Sequence, residues 1–459
     1  MPFYHTNYTF TKYDILFEKW YYENQYQAKL TDSHTAMEQI SSGSIVGIGQ
    51  AACQPPALME ALAARAEAGL IDDVKVYYMH AEEPMQRSLL RYELMGRIKP
   101  YSMFMQKAER DLIKKGQEDG DRKVVFYVPN SFSQSVRFFS DHIHLDTFLV
   151  TVSPMDSNGY FTFGTNNDYT SSAARAAKRL IVEVNQNMPR VFGRSLLHIS
   201  EVDTIVEHHV PLPMLKPRPV TEQERKIGQL IAERIPEHAC LQIGAGGVPS
   251  GVCEALMDRQ DLGIHTEALV PALASLIQNG AVTNKWKKIN PGKSVLTFAM
   301  GDEAFYNFIN DNISLESHPV NYVNDPAVIA QNDNVVSVNS TIEMDPTGAC
   351  NSEYAGGHQF TSTGGQLDFV RGAYASKGGM SFIAFQSSIK GGKISKIVPR
   401  LSGPVTTPRT DVHYVVTENG AVDLKGLSST ERAESLIGLA DPAFRDELTA
   451  AAKSMHLIQ

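Results

Sequence analysis

The sequence predicts an α/β protein made of two similar-sized open domains, each with a mostly parallel sheet. Short β-branched runs alternate with helical segments along both halves of the 459-residue chain, the pattern of parallel sheets with covering helices. Four prolines at 211–219 interrupt this alternation and indicate an exposed, semi-rigid connection. We therefore expect an N-terminal domain at residues 1–218 and a C-terminal domain at residues 219–459.

In the first half, the alternation begins with a helix predicted at 33–43, a strand at 44–49, a helix at 55–69 and a strand at 72–80. Further apolar runs, spaced by helical or Gly/Asn-rich segments, predict strands at 122–129, 146–154, 179–185 and 202–208.

In the second half, a charged helical pattern follows the prolines and the same alternation restarts. The predicted elements are a strand within 239–247, a helix at 249–258, a strand at 261–267, a helix at 268–280 and a strand at 293–301. The two halves are thus expected to share a general layout.

Composition excludes several classes of protein. Lys and Arg number 42 against 51 Asp and Glu, so the formal net charge of −9 disfavours nucleic-acid and anionic-membrane partners. The four cysteines show no metal-ligand spacing, which argues against a zinc site and a disulfide framework. The N-terminal residues lack the pattern of a signal peptide, and we expect a cytoplasmic protein without a metal.

A glycine loop at 244–248 is the strongest local feature. It follows a strand and precedes a helix, which lets backbone N–H groups approach an anionic ligand. Glu267 lies about twenty residues further on, the spacing of a dinucleotide-binding site, but the loop reads GxGGxP instead of GxGxxG. A plain strand-to-helix turn is the other interpretation of these glycines.

Three more glycine pairs occur at 364–369, 376–379 and 389–393, two of them preceded by lysine. Such pairs permit close backbone approach to a ligand, whereas a flexible linker is the alternative. The apolar stretch 380–388 between them predicts a buried strand, which favours the first interpretation.

Long motifs along most of the chain resemble the acetyl-CoA hydrolase/CoA-transferase family, within it the butyrate and 4-hydroxybutyrate CoA-transferases. The motifs that carry the resemblance are VSPMDSNGYFTFGT (152–165), the GxGGxP loop, DLGIHTE (261–267), VNDPAVIAQNDNVVSVNSTIEMDPTG (323–348), GGQLDF with RGA, SKGG, and VVTENGAVDLKGLSSTERA (415–433).

The resemblance implies a CoA-transferase-like fold with the active site between the two domains. It also implies a ping-pong reaction in which Glu267 carries CoA as a glutamyl thioester, since a carboxylate can exchange CoA between thioesters of similar energy. No metal or redox cofactor is expected, and coenzyme A is a substrate.

Further residues follow from the same resemblance. The Asn324 amide and the Gly365 N–H are expected as oxyanion donors, and Glu418 as an acid near the nucleophile. The remaining candidates are Gly244, Ala245, Gly246, Gly247, Val248, Gly364 and Lys390 for CoA, and Gln50 and Ala51 for the acyl pocket. Taken alone, Asn324 and Glu418 also suit turns, Lys390 an exposed cation, and 50–51 a tight turn before a helix.

The substrate stays open at this stage. Relatives commonly follow the nucleophile with Ser-Asp-Gly, but here the residues are Ala-Leu-Val at 268–270. Acetate, butyrate or 4-hydroxybutyrate are expected acceptors, whereas itaconate or succinate would need a cation such as Arg371, Arg400 or Arg409. An acyl-CoA hydrolase and a CoA- or nucleotide-sensing protein are the alternatives. The resemblance also implies a homodimer or a dimer of dimers.

Overall fold

The computed structural model describes residues 12–215 and 218–459, with only the backbone for residues 12–20. The N-terminal segment 1–11 and the linker residues 216–217, used in the predictions above, lie outside the described residues.

Within residues 12–215, seven parallel strands form the first sheet. In spatial order they are Phe126–Tyr127, Ile98–Ser102, Val74–Tyr78, Ile45–Ile48, Thr147–Val152, Leu180–Val184 and Thr204–Glu207. Val, Ile and Phe side chains of the central strands are buried, as expected for a sheet covered on both faces.

Helices connect and cover these strands. They are Lys12–Lys29, Ser33–Met37, Pro56–Glu67, Glu83–Arg87, Lys107–Glu118, Ser135–Arg137 and Thr170–Ala176. The helix Pro56–Glu67 begins with proline, whose missing N–H costs nothing at that position.

Within residues 218–459, six strands form the second sheet. Their spatial order is Gly263–Ile264, Cys240–Ile243, Val335–Asn339, Met380–Ala384, Tyr414–Thr417 and Gly420–Asp423, and only the last pairing is antiparallel. The carboxyl ends of the parallel strands therefore share one edge, where such sheets bind ligands.

The helices of this half are Glu222–Ala232, Gly247–Ala255, Pro271–Gln278, Glu303–Ile309, Val320–Val323, Pro326–Ile329, Gln366–Ala375, Ser429–Leu439 and Arg445–Ser454. Short two-stranded pairs complete the fold: Tyr160–Thr162 with Leu196–His198, Ala268–Leu269 with Phe298–Ala299, Ser294–Leu296 with Leu315–Ser317, Glu343–Met344 with Cys350–Asn351, Tyr354–Ala355 with His358–Gln359, and Ser388–Ile389 with Ile394–Ser395.

The two sheets share one continuous apolar core. A single cluster of buried side chains includes Phe132 and Phe148 from the first half together with Ile243, Leu269 and Phe305 from the second. The halves are thus packed against each other instead of being joined only through the linker. This packing positions the site described below.

The predicted α/β class with two mostly parallel sheets is confirmed. All strands of the first sheet end by Glu207 and those of the second begin at Cys240. The boundary between residues 218 and 219 stays a prediction.

Several individual elements differ from the sequence predictions. The strand expected at 293–301 is two short strands, Ser294–Leu296 and Phe298–Ala299, and the helix expected at 33–43 ends at Met37. The strand Ile98–Ser102 was not predicted because it contains a proline and no apolar run. The helix expected at 268–280 begins at Pro271, and Ala268–Leu269 before it form a short strand.

Candidate active site

Glu267 lies just beyond the strand Gly263–Ile264, near the carboxyl edge of the second sheet. Its backbone carbonyl accepts hydrogen bonds from the N–H groups of Thr297 at 3.0 Å and Phe298 at 3.1 Å. These bonds fix the Glu267 backbone beside the pair formed by Ala268–Leu269 and Phe298–Ala299. The backbone that carries the Glu267 side chain is therefore rigidly positioned.

Three residues predicted from separate motifs meet at one carboxylate oxygen. The Asn324 side-chain amide donates from Nδ2 to Oε2 of Glu267 at 2.7 Å. A methyl group added to Gly365 would overlap both that oxygen and Nδ2 of Asn324. Only glycine therefore lets the backbone at position 365 approach the carboxylate this closely.

The pKa of the Glu267 carboxyl is raised to about 7. Burial is the largest cause, because it disfavours the charged form. The Asn324 amide and the Gly365 N–H act in the opposite direction, and the negative charges of Asp368 and Asp168 raise the pKa further. Near neutral pH, both the protonated and the ionised forms of this group are therefore populated.

A small cavity opens beside Glu267 and is lined from both halves of the chain. Its lining residues are Met79, His80, Phe104, Asn130, Phe132, Glu267, Ser362 and Gly364. The Phe132 N–H donates to the Gly364 carbonyl at 3.1 Å, and the Ser133 N–H donates to Oδ2 of Asp368 at 3.4 Å. These bonds hold a short segment of the first half over the carboxylate.

Gln50, predicted with Ala51 for the acyl pocket, contacts His80. Nε2 of Gln50 is 2.9 Å from Nδ1 of His80, and burial lowers the pKa of His80 to about 4, so the ring is neutral at physiological pH. Ala51 and His80 both have positive φ, 47° and 46°, a costly backbone conformation that clusters at functional sites. Gln50 therefore orients a ring that faces the cavity.

The glycine loop has a packing role at one of its positions. Gly247 begins the helix Gly247–Ala255, and a methyl group there would overlap the carboxylate of Glu224. Glu224 is paired with Arg218 and accepts from the Thr221 N–H at 2.9 Å. An acidic group therefore already lies against this helix terminus, and Arg218 compensates its charge.

A pocket of about 320 Å³ lies on the other side of the loop. Its lining residues are Leu215, Arg218, Ala245, Gly246, Ser250, Val270, Pro271 and Ala272. Because Val270 is three residues from Glu267, the pocket adjoins the segment that follows the carboxylate.

Three other predicted residues, Gly364, Lys390 and Glu418, differ in how they relate to Glu267. Gly364 lines the cavity with a φ of 59°, and Lys390 is exposed in the turn of a short hairpin. Glu418 accepts hydrogen bonds from the Ser387 N–H and hydroxyl at 2.9 and 2.5 Å. The acids that act on the pKa of Glu267 are Asp168 and Asp368, not Glu418.

Sequence reasoning missed several residues of the site. Asp368 stands within GGQLDF, a motif in which only the glycines were assigned a role, and its pKa is raised to about 6 by burial. His80 follows the strand Val74–Tyr78, so its place at the end of a parallel strand was the available signal. Phe132 begins a short 3-10 helix, Phe132–Gln134, which the sequence did not predict, so it gave no signal.

Two further findings bear on the class of site. In the described ranges, no group of three or more His, Cys, Asp or Glu side chains is placed to hold a metal ion. Of the helices in the described part of the chain, none has both the length and the apolar character of a membrane span.

The fold places a buried carboxylate between two α/β halves, and comparisons with known proteins identify the family. Residues 16–216 match the acetyl-CoA hydrolase/transferase N-terminal domain, and residues 301–452 match the C-terminal domain. The chain therefore belongs to the acetyl-CoA hydrolase/transferase family, which confirms the predicted enzyme family.

Individual relatives align over nearly the whole chain. A succinyl-CoA:cyclohexane-1-carboxylate CoA transferase of Geobacter metallireducens is 41% identical, covering 95% of this chain and 98% of the relative. A 4-hydroxybutyrate coenzyme A transferase of Clostridium kluyveri is 38% identical, covering 93% and 98%. The crystal structure of RipA from Yersinia pestis is 56% identical with a TM-score of 0.93, covering 95% of this chain and 100% of that one.

Proposed function

We propose that this protein is a CoA-transferase that moves CoA between an acyl-CoA and a short-chain carboxylate through a thioester on Glu267. The observation that carries the proposal is the contact of Asn324 Nδ2 and Gly365 with one oxygen of a buried carboxylate. The family match and the names of the relatives support the same class of reaction.

In the first step, an ionised oxygen of Glu267 attacks the thioester carbonyl of the acyl-CoA. The C–S bond breaks, which gives a mixed anhydride and CoA thiolate. The thiolate then attacks the glutamyl carbonyl, and the original acyl group leaves as its carboxylate. An acceptor carboxylate reverses these steps and leaves as the new acyl-CoA.

The neighbours of Glu267 suit the second attack. When the thiolate adds to the glutamyl carbon, negative charge develops on a carboxyl oxygen. Oε2 already lies 2.7 Å from the Asn324 amide and against Gly365, so preorganised donors face the developing charge. One such donor typically lowers the activation barrier by about 3–4 kcal/mol.

The cavity has a volume of only about 10 Å³, so the proposal for the acyl group rests on the chemistry of the lining side chains, which favours an uncharged chain. Met79, Phe104 and Phe132 are apolar, and His80 and Asn130 supply neutral polar groups. This lining suits acetate, butyrate or 4-hydroxybutyrate. The hydroxyl group of 4-hydroxybutyrate would hydrogen-bond to His80 or Asn130.

A dicarboxylate such as succinate or itaconate is the second candidate acceptor, since several relatives are named for succinyl-CoA or succinate as a substrate. The cations considered for it are exposed: Arg371 pairs with Asp411 at 3.0 Å, and Arg400 and Arg409 do not line the cavity. A dicarboxylate would therefore need another cation.

The testing experiment measures free CoA and new acyl-CoA separately, using acetyl-CoA as donor and a panel of mono- and dicarboxylates as acceptors. A transferase forms new acyl-CoA only with an acceptor, and its double-reciprocal plots are parallel. CoA release that ignores the acceptor would instead identify a hydrolase. If Glu267→Ala retains transfer at the unmodified rate, Glu267 is not the nucleophile.

A further inference from the structure

Lys287 and Lys396 are both lysines whose pKa is lowered to about 8 by burial, but their ammonium groups have different surroundings. Nζ of Lys287 donates to the carbonyl oxygens of Ile264 at 2.8 Å and Lys293 at 2.6 Å. Among the described residues, Nζ of Lys396 has no hydrogen-bond acceptor within 3.5 Å and no acidic oxygen within 4.0 Å. Lys287 therefore has a structural role that Lys396 lacks.

Both the backbone and the side chain of Lys396 are nevertheless held in place by hydrogen bonds of its backbone and by packing of its side chain. Its N–H donates to the Ser387 carbonyl at 2.9 Å, and its own carbonyl accepts from the Met344 N–H at 2.9 Å. Nζ lies 5.2 Å from the centre of the buried Phe385 ring. The Lys396 backbone is thus fixed, and its ammonium group lies over an aromatic ring, unlike that of a mobile surface lysine.

Glu418 is the acid whose charge acts on Lys396, but it does not neutralise it by direct contact. The Glu418 carboxylate is instead occupied by the Ser387 N–H at 2.9 Å and the Ser387 hydroxyl at 2.5 Å. The Lys396 side chain is half-buried and its ammonium group has no hydrogen-bonded counter-ion, so it is available for a charge-assisted hydrogen bond to an incoming anion.

The location of Lys396 also fits a ligand site. Residues 385–387 follow the strand Met380–Ala384, and Glu418 follows its parallel neighbour Tyr414–Thr417. Both segments thus lie at the carboxyl edge of the second sheet, the usual ligand-binding edge. Lys390 and Lys393, exposed in the preceding hairpin, add positive charge to this region of a protein whose formal net charge is −9.

We propose that Lys396 binds a phosphate group of the CoA substrate, a role that the sequence motif suggests only for Lys390. This proposal rests on the proposed function, because it assigns part of the CoA site to the same enzyme. The carboxylate of a dicarboxylic acid has similar chemistry. The cluster of three lysines favours the more highly charged phosphates of CoA.

The test measures the dissociation constants of CoA, pantetheine and succinate by calorimetry for the unmodified protein and for Lys396→Met. Methionine keeps an unbranched apolar stem against Phe385 but removes the charge. We expect Lys396→Met to weaken CoA binding by at least about tenfold, as for loss of a charge-assisted hydrogen bond of about 1.4 kcal/mol or more. Pantetheine, which has no phosphate, should bind equally to both proteins.

Two matched variants complete the experiment. Lys453→Met, at an exposed helix position, changes the net charge equally and should leave CoA binding unchanged. Lys390→Met compares the exposed Lys390 with the half-buried Lys396 and should have the smaller effect. Thermal unfolding of each variant shows whether it is folded.

The outcomes separate the two proposals. Unchanged CoA binding by folded Lys396→Met would overturn the phosphate site, as would an equal loss for pantetheine. Weakened succinate binding with unchanged CoA binding would assign Lys396 to a carboxylate instead. Failure of the unmodified protein to bind CoA would contradict the proposed function itself.

Discussion

At the scale of single residues, the chemistry depends on how the surroundings of Glu267 balance its two protonation states. Burial and the charges of Asp368 and Asp168 favour the protonated form, whereas Asn324 and Gly365 favour the carboxylate. A pKa of about 7 keeps the nucleophile available at neutral pH while leaving it less solvated than an exposed carboxylate.

The rate of transfer should therefore fall as the pH decreases below about 7, because the protonated carboxyl cannot attack. Asp368→Asn removes a negative charge near Glu267 and should move this acid limb to lower pH by a fraction of a unit. The measurement is kcat/KM against pH for both proteins. A limb that moves to higher pH would contradict the assigned electrostatics.

The same raised pKa has a consequence for stability. In the folded protein Glu267 retains its proton from pH 4.5 to about 7, where the unfolded chain has released it, so stability falls as the pH rises through this window. Glu267→Gln removes this loss and should stabilise the protein at pH 8 by about 3 kcal/mol at most.

Denaturant unfolding at pH 8 and pH 4.5 checks this prediction. The stability gained by Glu267→Gln should be larger at pH 8 than at pH 4.5. An equal or smaller gain at pH 8 would show that the folded protein does not penalise the ionised carboxylate.

At the scale of elements, glycines allow two helices to approach closely beside the glycine loop. A methyl group on Gly228, in the helix Glu222–Ala232, would overlap the backbone at Gly251 in the helix Gly247–Ala255. The loop therefore begins a helix whose position depends on this contact.

Gly228→Ala should destabilise the protein by about 1–3 kcal/mol through this overlap. Gly438→Ala is the matched control, because Gly438 also lies in a helix but has nothing within 4 Å of the added methyl group. It should stabilise by about 0.5–1 kcal/mol, the usual helical preference for alanine. Equal effects of the two substitutions in denaturant unfolding would exclude the packing explanation.

Many of the strands and helices could be predicted from the sequence. Apolar runs such as 44–49 and 146–154 gave strands at Ile45–Ile48 and Thr147–Val152, since periodicity and burial agree there. The strand Ile98–Ser102 was missed, because its proline is unusual in a strand and hides the strand pattern. The start of the helix expected at 268–280 was placed too early, since the helix begins only at Pro271.

The site was predictable in a different way. Asn324 and Gly365 are 57 and 98 residues from Glu267, and no local pattern predicts their contact; the family resemblance supplied it. His80 and Phe132 line the cavity beside Glu267 only through the packing of the two halves. The end of the strand Val74–Tyr78 was the one sequence signal for His80, and Phe132 gave none.

At the scale of the whole molecule, the cavity beside Glu267 depends on both halves. Phe132 from the first half covers it, and the Phe132 N–H is bonded to Gly364 in the second. The size of the acyl group should therefore be set by how the halves meet.

Phe132→Leu should enlarge the cavity and raise kcat/KM for hexanoate relative to acetate by about tenfold, the usual discrimination for a methylene group in an apolar pocket. Phe139→Leu is the control, since Phe139 is equally buried but stacks on Tyr169 away from the cavity. A similar change of preference in both variants would show that the effect is general loosening.

The most direct test of the central claim is peptide mass spectrometry of the protein incubated with acyl-CoA in the absence of an acceptor acid. The account predicts covalently bound CoA on the peptide that contains Glu267, lost on addition of acetate and absent from Glu267→Gln. A protein that turns over acyl-CoA without forming this adduct, or that carries CoA on another residue, would contradict the account.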